Sequence, residues 1–136
     1  MKNKIEVLKK YLQTEEIKFD YNSYTQQFII GNDTYYVLTE EEAEELVRER
    51  IKESLWCISS EFIEHKTGFD AEIIGMVQQR MCENSNEFVK ALIEASCGLE
   101  KFMNDIIETD GRGIFLTYDG HENIEKINGE TYYIYS

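Results

Sequence analysis

One stretch, from Thr39 to about Lys66, constrains this chain more than any other, because its pattern is that of one long amphipathic helix. Thr39 suits an N-cap, and Glu42 three residues later completes a capping box. Glu40, Glu41 and Glu42 fill the first turn, where the positive end of the helix dipole favours carboxylates. Ala43, Val47, Ile51, Leu55, Ile58 and Phe62 recur in steps of three and four, and Leu46 and Trp56 widen that stripe. Glu44, Glu45, Glu49 and Glu53 stay off it. Such a helix must bury one side in a core, and its other side is a strip of negative charge.

The flanking segments set the fold class. Residues 3–13 repeat Ile5, Leu8, Tyr11 and Leu12 at helical spacing, and 14–22 are mixed and polar, read as a loop. Gln27–Ile30 and Thr34–Leu38 are β-branched and aromatic runs around Gly31-Asn32-Asp33, a hairpin signature. Gly68 suits a helix C-cap, and Asp70 suits the start of a helix holding Ile73, Ile74, Val77 and Met81. Asn84 and Glu87 suggest a capping box for a last helix from Phe88 to Ile107, with Gly98 inside it. Ile114–Tyr118, Asn123–Ile127 and Thr131–Tyr135 read as strands, the last two joined by Asn128-Gly129 in a type I′ turn. The expected fold is α+β: an antiparallel sheet from an N-terminal hairpin and a C-terminal meander, with three to four helices packed on it. At 136 residues this is one domain: 1–22 helix and loop, 23–38 hairpin, 39–109 helical, 110–136 strands.

Charge narrows function. There are 27 acids against 14 bases, a net charge of −13, and residues 1–38 net zero. The excess lies in 39–53 (seven acids, three bases), 54–103 (eight, four) and 104–136 (seven, two). A field of that sign repels phosphates, which excludes direct binding of nucleic acid or an anionic membrane and favours a basic protein surface. The competing explanation is solubility alone. The opening residues lack a signal peptide's apolar run, and no window reaches a membrane span, so the expected location is cytoplasmic, within a host cell. Cys57, Cys82 and Cys97 are odd in number and share no CxxC spacing, which suits free thiols.

Chemical constellations are sparse. Cys57, Glu61 and His65 fall four apart, and on a continuous helix they would present thiolate, carboxylate and imidazole on one face, as Zn²⁺ ligands. Neither HExxH nor CxxC accompanies them, and one helix rarely supplies a tetrahedron, so no metal and no cofactor is expected. Asp110, Asp119 and His121 sit at strand ends where acid–base work is conceivable, but turns favour Asp, Gly and Asn for backbone reasons alone. Tyr35, Tyr36, Tyr132, Tyr133 and Tyr135 would form either an aromatic interaction patch or cross-strand pairs within the sheet.

Taken together, Tyr35–Ala43, the Glu53-Ser54-Leu55-Trp56 step, Asp110-Gly111-Arg112-Gly113, Tyr118-Asp119-Gly120 and Tyr132–Tyr135 resemble a group of small acidic proteins from bacteriophage and mobile-element genomes. The resemblance covers about residues 34–136 and implies a genomic setting without implying an activity. Members often carry a histidine after Gly-Arg-Gly, where this chain has Ile114. The leading expectation is a non-enzymatic accessory protein that binds, and inhibits, a basic nucleic-acid-handling host protein as a DNA mimic. This is the anti-defence role that anti-CRISPR proteins play. Its contact residues would be Glu40, Glu41, Glu44, Glu45, Glu49 and Glu53. The alternatives are a small metal-dependent enzyme and a structural homodimer.

Overall fold

The computed structural model describes residues 1–80, 84–117 and 119–136, with Arg80 described by its backbone alone. The expectations for Met81, Cys82 and Tyr118 lie outside the described residues. Among the described residues, seven helices and one open, five-stranded antiparallel sheet make an α+β fold. The helix count exceeds the expected three to four. Two compact units are present, 1–47 with 112–136, and 48–111. No helix among the described residues is long and apolar enough to cross a membrane.

The first unit holds α1 (Lys2–Leu12) and the sheet, in the order β1-β2-β3-β5-β4. The N-terminal strands are β1 (Asp20–Asn22), β2 (Gln27–Ile30) and β3 (Asp33–Leu38), and β4 (Asn123–Ile127) and β5 (Glu130–Tyr135) close the chain. Both expected turns form: Gly31 has φ +62°, and Asn128 and Gly129 both have positive φ, as a type I′ turn requires. The stretch read as a loop before residue 23 contributes β1, because Tyr21 pairs with Phe28 of β2 and their rings meet at a tilt of 51° with centres 4.8 Å apart. Val7 and Leu8 of α1 pack with Phe28, Val37, Tyr132 and Ile134 into a buried core on one face of the sheet. At the β4 edge, Lys10 of α1 donates to the Lys126 carbonyl at 3.1 Å and lies 3.5 Å from Glu125.

Alternation along β3 and β5 divides the tyrosines between the faces. Tyr35 and Tyr132 share the α1 side with Val37 and Ile134, whereas Tyr36, Tyr133 and Tyr135 point to the other. Tyr36 stands directly opposite Tyr135, and Tyr36, Tyr132 and Tyr135 are buried. They are cross-strand and core residues, so an exposed five-tyrosine patch does not form.

The Thr39 capping box is reciprocal. Thr39 N–H donates to Glu42 Oε1 at 3.0 Å, and Glu42 N–H to Thr39 Oγ1 at 3.2 Å. The helix it starts is α2 (Glu40–Glu53), and the unit boundary falls within it. It does not run to Lys66. After Glu53 the chain turns, and α3 (Ser60–Thr67) begins afresh with Ser59 Oγ accepting from Phe62 N–H. Residues far along the chain fix this break. The Asn86 amide donates to Glu53 O and accepts from Trp56 N–H, each at 2.8 Å. Gln78 Nε2 donates to Leu55 O and Ile58 O, also at 2.8 Å. Backbone groups that would otherwise continue the helical ladder are satisfied this way.

The rest of the second unit is α4 (Ala71–Arg80), α5 (Ser85–Ser96) and α6 (Leu99–Asp110). Gly68 caps α3 at φ +82°, and Asp70 Oδ1 accepts from Glu72 and Ile73 N–H, both as expected. Asn84 precedes α5 without a side-chain cap, so its expected capping box is absent. Gly98 is not interior to one helix. At φ +88° it separates α5 from α6, and Glu94 accepts from Leu99 N–H across the join. Ile63, Ile74, Val89, Ile93, Phe102, Met103 and Ile106 are buried, and Phe62 meets Phe102 edge-on at 5.5 Å.

The expected strand at 114–118 is instead one helical turn, α7 (Gly113–Leu116), so the C-terminal end is a hairpin and not a three-strand meander. A Cβ on Gly113 would lie 2.0 Å from the Gly120 carbonyl oxygen, so this close approach admits only glycine. Gly113→Ala is expected to destabilise the chain by about 2–4 kcal/mol in urea unfolding. Gly68→Ala, where space is open and only the positive φ is strained, should cost about 1 kcal/mol. Equal losses for the two would show that the Gly113 backbone yields.

Candidate functional site

Glu40, Glu44, Glu122, Tyr133 and Tyr135 meet around Arg112. Thr39 ends β3 and starts α2, which sets Glu40 and Glu44 one turn apart. Gly111, at φ +79°, turns the chain after α6, and the Gly113–Gly120 approach folds the following segment back toward β4. The guanidinium is then held by three carboxylates: Nη1 lies 2.8 Å from Glu40 and 3.1 Å from Glu44, and Nη2 lies 2.8 Å from Glu122. Nε donates to the same Glu122 oxygen at 3.0 Å. The plane lies over the Tyr133 ring, 4.5 Å from its centre, and the Tyr135 hydroxyl donates to Glu122.

The arginine side chain is 9% exposed, so its charge is nearly withdrawn from water. Burial alone would lower its pKa, but Tyr135, Glu122 and Glu40 outweigh that and hold it firmly protonated. The Tyr133 hydroxyl, hydrogen-bonded to Glu40, holds that carboxyl below its usual range against partial desolvation, and Arg112 adds to the effect. Tyr133 is raised in return by the same bond. Tyr135 is pushed far above an ordinary phenol, first by burial and then by Glu122. Each of these four shifts favours the charge state that the contacts need, so the cluster holds together as a clasp.

The six acids expected to bind a partner differ in their surroundings. Glu40 and Glu44 belong to the clasp. Glu49 lies 3.4 Å from Lys52 and Glu53 3.3 Å from Arg50, both at i,i+3 spacing. Glu42, at the cap, pairs with Lys4 at 2.9 Å. Glu41 and Glu45 are exposed, and among the described residues no basic side chain pairs with either.

Cys57, Glu61 and His65 do not share a helix face. Cys57 lies in the turn before Ser59, its thiol toward the Ser54 carbonyl, while Glu61 accepts from Ser59 Oγ in the first turn of α3. The break after α2 removed the register that would have aligned them. Among the described residues no group of three or more His, Cys, Asp or Glu is placed to hold a metal ion. Asp110 is the last residue of α6. Asp119 accepts from Thr117 Oγ1 at 2.8 Å and from His121 N–H at 2.9 Å. The His121 backbone bond, then Thr117, holds its carboxyl below the usual range, so it orders the turn. His121 is exposed.

Arg112 was not among the sequence candidates. Its signal was present: residues 104–136 hold seven acids and two bases, and one base sits between two glycines.

Arg112→Met keeps the apolar stem and takes the guanidinium away from Glu40, Glu44 and Glu122. A loss of about 2 kcal/mol is expected in urea unfolding, below the buried-pair range because Glu40 stays 57% exposed. The pH dependence has two limbs. A lowered carboxyl stabilises the fold above its ordinary range, so the Glu40 contribution disappears as pH falls below about 4.5. A raised phenol stabilises below its ordinary range, so the contribution of Tyr135 is lost as pH rises above about 10. Tyr135→Phe should flatten the alkaline limb of the stability profile and leave the acid limb unchanged. Compared with known protein families, curated proteins and solved structures, the chain gives no match.

Proposed function

We propose that this chain is a non-enzymatic acidic binding protein whose α2 surface engages a basic face on a nucleic-acid-handling protein. The observation that carries the reading is the contrast along α2. Glu40, Glu42, Glu44, Glu49 and Glu53 each have a basic partner within the fold, whereas Glu41 and Glu45 have none among the described residues. Glu41 and Glu45 are four residues apart and therefore neighbours on one side of the helix. They stand in a chain of net charge −13, so their field is reinforced and not cancelled. Two carboxylates about one turn apart on a helix offer lysine and arginine a pair of neighbouring anionic acceptors. The setting implied by the resemblance, a bacteriophage or mobile element acting inside its host cell, belongs to the same proposal.

The Arg112 clasp supports this reading through rigidity. It ties the first turns of α2 to β5 and to the segment before β4, so the exposed acids are presented on a fixed element. Fixed charge costs less ordering on binding than charge on a loop.

Immobilised protein should retain a basic nucleic-acid-handling protein from host lysate at about 50 mM salt and release it near 300 mM, because exposed charges are screened over that range. Glu41→Lys with Glu45→Lys should abolish retention at low salt. Retention unaffected by salt and by the reversals, or an empty column at both salts, would overturn the proposal.

A further inference from the structure

Helices α4 and α5 pack together and leave an apolar groove open along one side. Ile74, Val77, Val89 and Leu92 line it, with Phe69, Ile73 and Phe88 at its margins. The marginal residues are large and wet: Ile73 is 62% exposed, Phe88 45% and Phe69 44%. Single exposed apolar residues are ordinary, but three large ones around one groove form a patch of the kind that marks a binding surface.

Charge identifies what would lie there. Each marginal apolar residue has an acid as its chain neighbour: Phe69 is followed by Asp70, Ile73 preceded by Glu72, and Phe88 preceded by Glu87. Asp70 itself lines the groove, and Glu72 and Glu87 are exposed. From Asp70 to Ser96 the sequence holds five acids and two bases, a net charge of −3. A second copy of this chain would bring the same acidic rim against this one, and like charges face to face are costly. A ligand with an apolar stripe and a cationic flank meets both features. We infer that the groove between α4 and α5 takes an amphipathic helix of a partner protein, with lysine or arginine flanking its apolar stripe. Apolar anchors at i, i+3 or i+4, and i+7 would enter the groove, as in other helix-in-groove complexes. Neither Glu41 nor Glu45 is among the groove's lining residues, and the inference does not rest on that reading.

The test uses the full-length chain and two labelled peptides of about 15 residues, long enough for four helical turns. Both have leucine at i, i+3, i+4 and i+7. One carries lysine on its polar face and the other glutamate. Fluorescence anisotropy should show binding of the lysine peptide alone, about tenfold weaker to Ile73→Ser and to Phe88→Ser, as expected for anchor-lining positions. Both positions are exposed, so these variants should keep the parent's circular dichroism. Ile124→Ser, an exposed isoleucine on β4, should bind like the parent and controls for a general loss of surface apolarity. Failure of the lysine peptide to bind would overturn the inference, as would equal binding of both peptides or affinity indifferent to Ile73 and Phe88. A dimeric mass in sedimentation that becomes monomeric in Ile73→Ser would overturn it in favour of a second copy.

Discussion

A guanidinium this deeply enclosed cannot be left unpaired, and that requirement organises the sheet-bearing unit around Arg112. Desolvating the charge costs several kcal/mol, which only close opposite charges and complete hydrogen bonding offset. The planar fork makes this feasible. One edge faces Glu40 and Glu44, another faces Glu122, and the flat surface remains for Tyr133. Lysine would supply the charge but neither the fork nor the face. The two flanking glycines have separate tasks: Gly111 supplies a positive φ, and Gly113 admits the Gly120 carbonyl. The start of α2, the end of β5 and the approach to β4 thus share one ion, although they lie up to about ninety residues apart in the chain.

This division changes how the net charge of −13 should be understood. Part of the negative charge on α2 is consumed within the fold, where it holds Arg112 and Lys4. Another part, at Glu49 and Glu53, is partly neutralised by exposed neighbours whose pairing is weak and easily exchanged. Glu41 and Glu45 remain, and they lie on the face of α2 turned away from Ala43 and Val47, which are fully buried. Acidity counted over a sequence therefore overstates the charge offered to a partner, and the position of each acid relative to the bases decides what is offered.

Features set by neighbouring residues were legible in the sequence. The Thr39–Glu42 capping box, the Gly31 and Asn128-Gly129 turns, the Gly68 cap and the Asp70 cap all depend on a few adjacent residues. Features set by distant partners were not. The apolar stripe from Ala43 to Phe62 is continuous in spacing, yet Asn86 and Gln78 take up the backbone groups at residues 53–58 and stop the helix. Losing that register also took Cys57 off the helix that carries Glu61 and His65. Ile114-Phe115-Leu116 is too short for periodicity to separate strand from helix, and the Gly113–Gly120 approach decides in favour of a turn. The clasp was hidden for the same reason: its members are individually ordinary, and only the fold brings residues 40, 44, 112, 122, 133 and 135 together.

The β4 edge leaves one strand side without a neighbour, and an open row of peptide groups is where sheets from separate molecules join. Lys10 reaches over that border, takes the Lys126 carbonyl and adds a cation beside Glu125. An incoming strand would have to displace the ammonium and desolvate it before the backbones could register. At the opposite border β1 is only three residues long, too short to template much pairing. Both borders of the open sheet thus carry a feature that disfavours growth, a lysine at one and a short strand at the other.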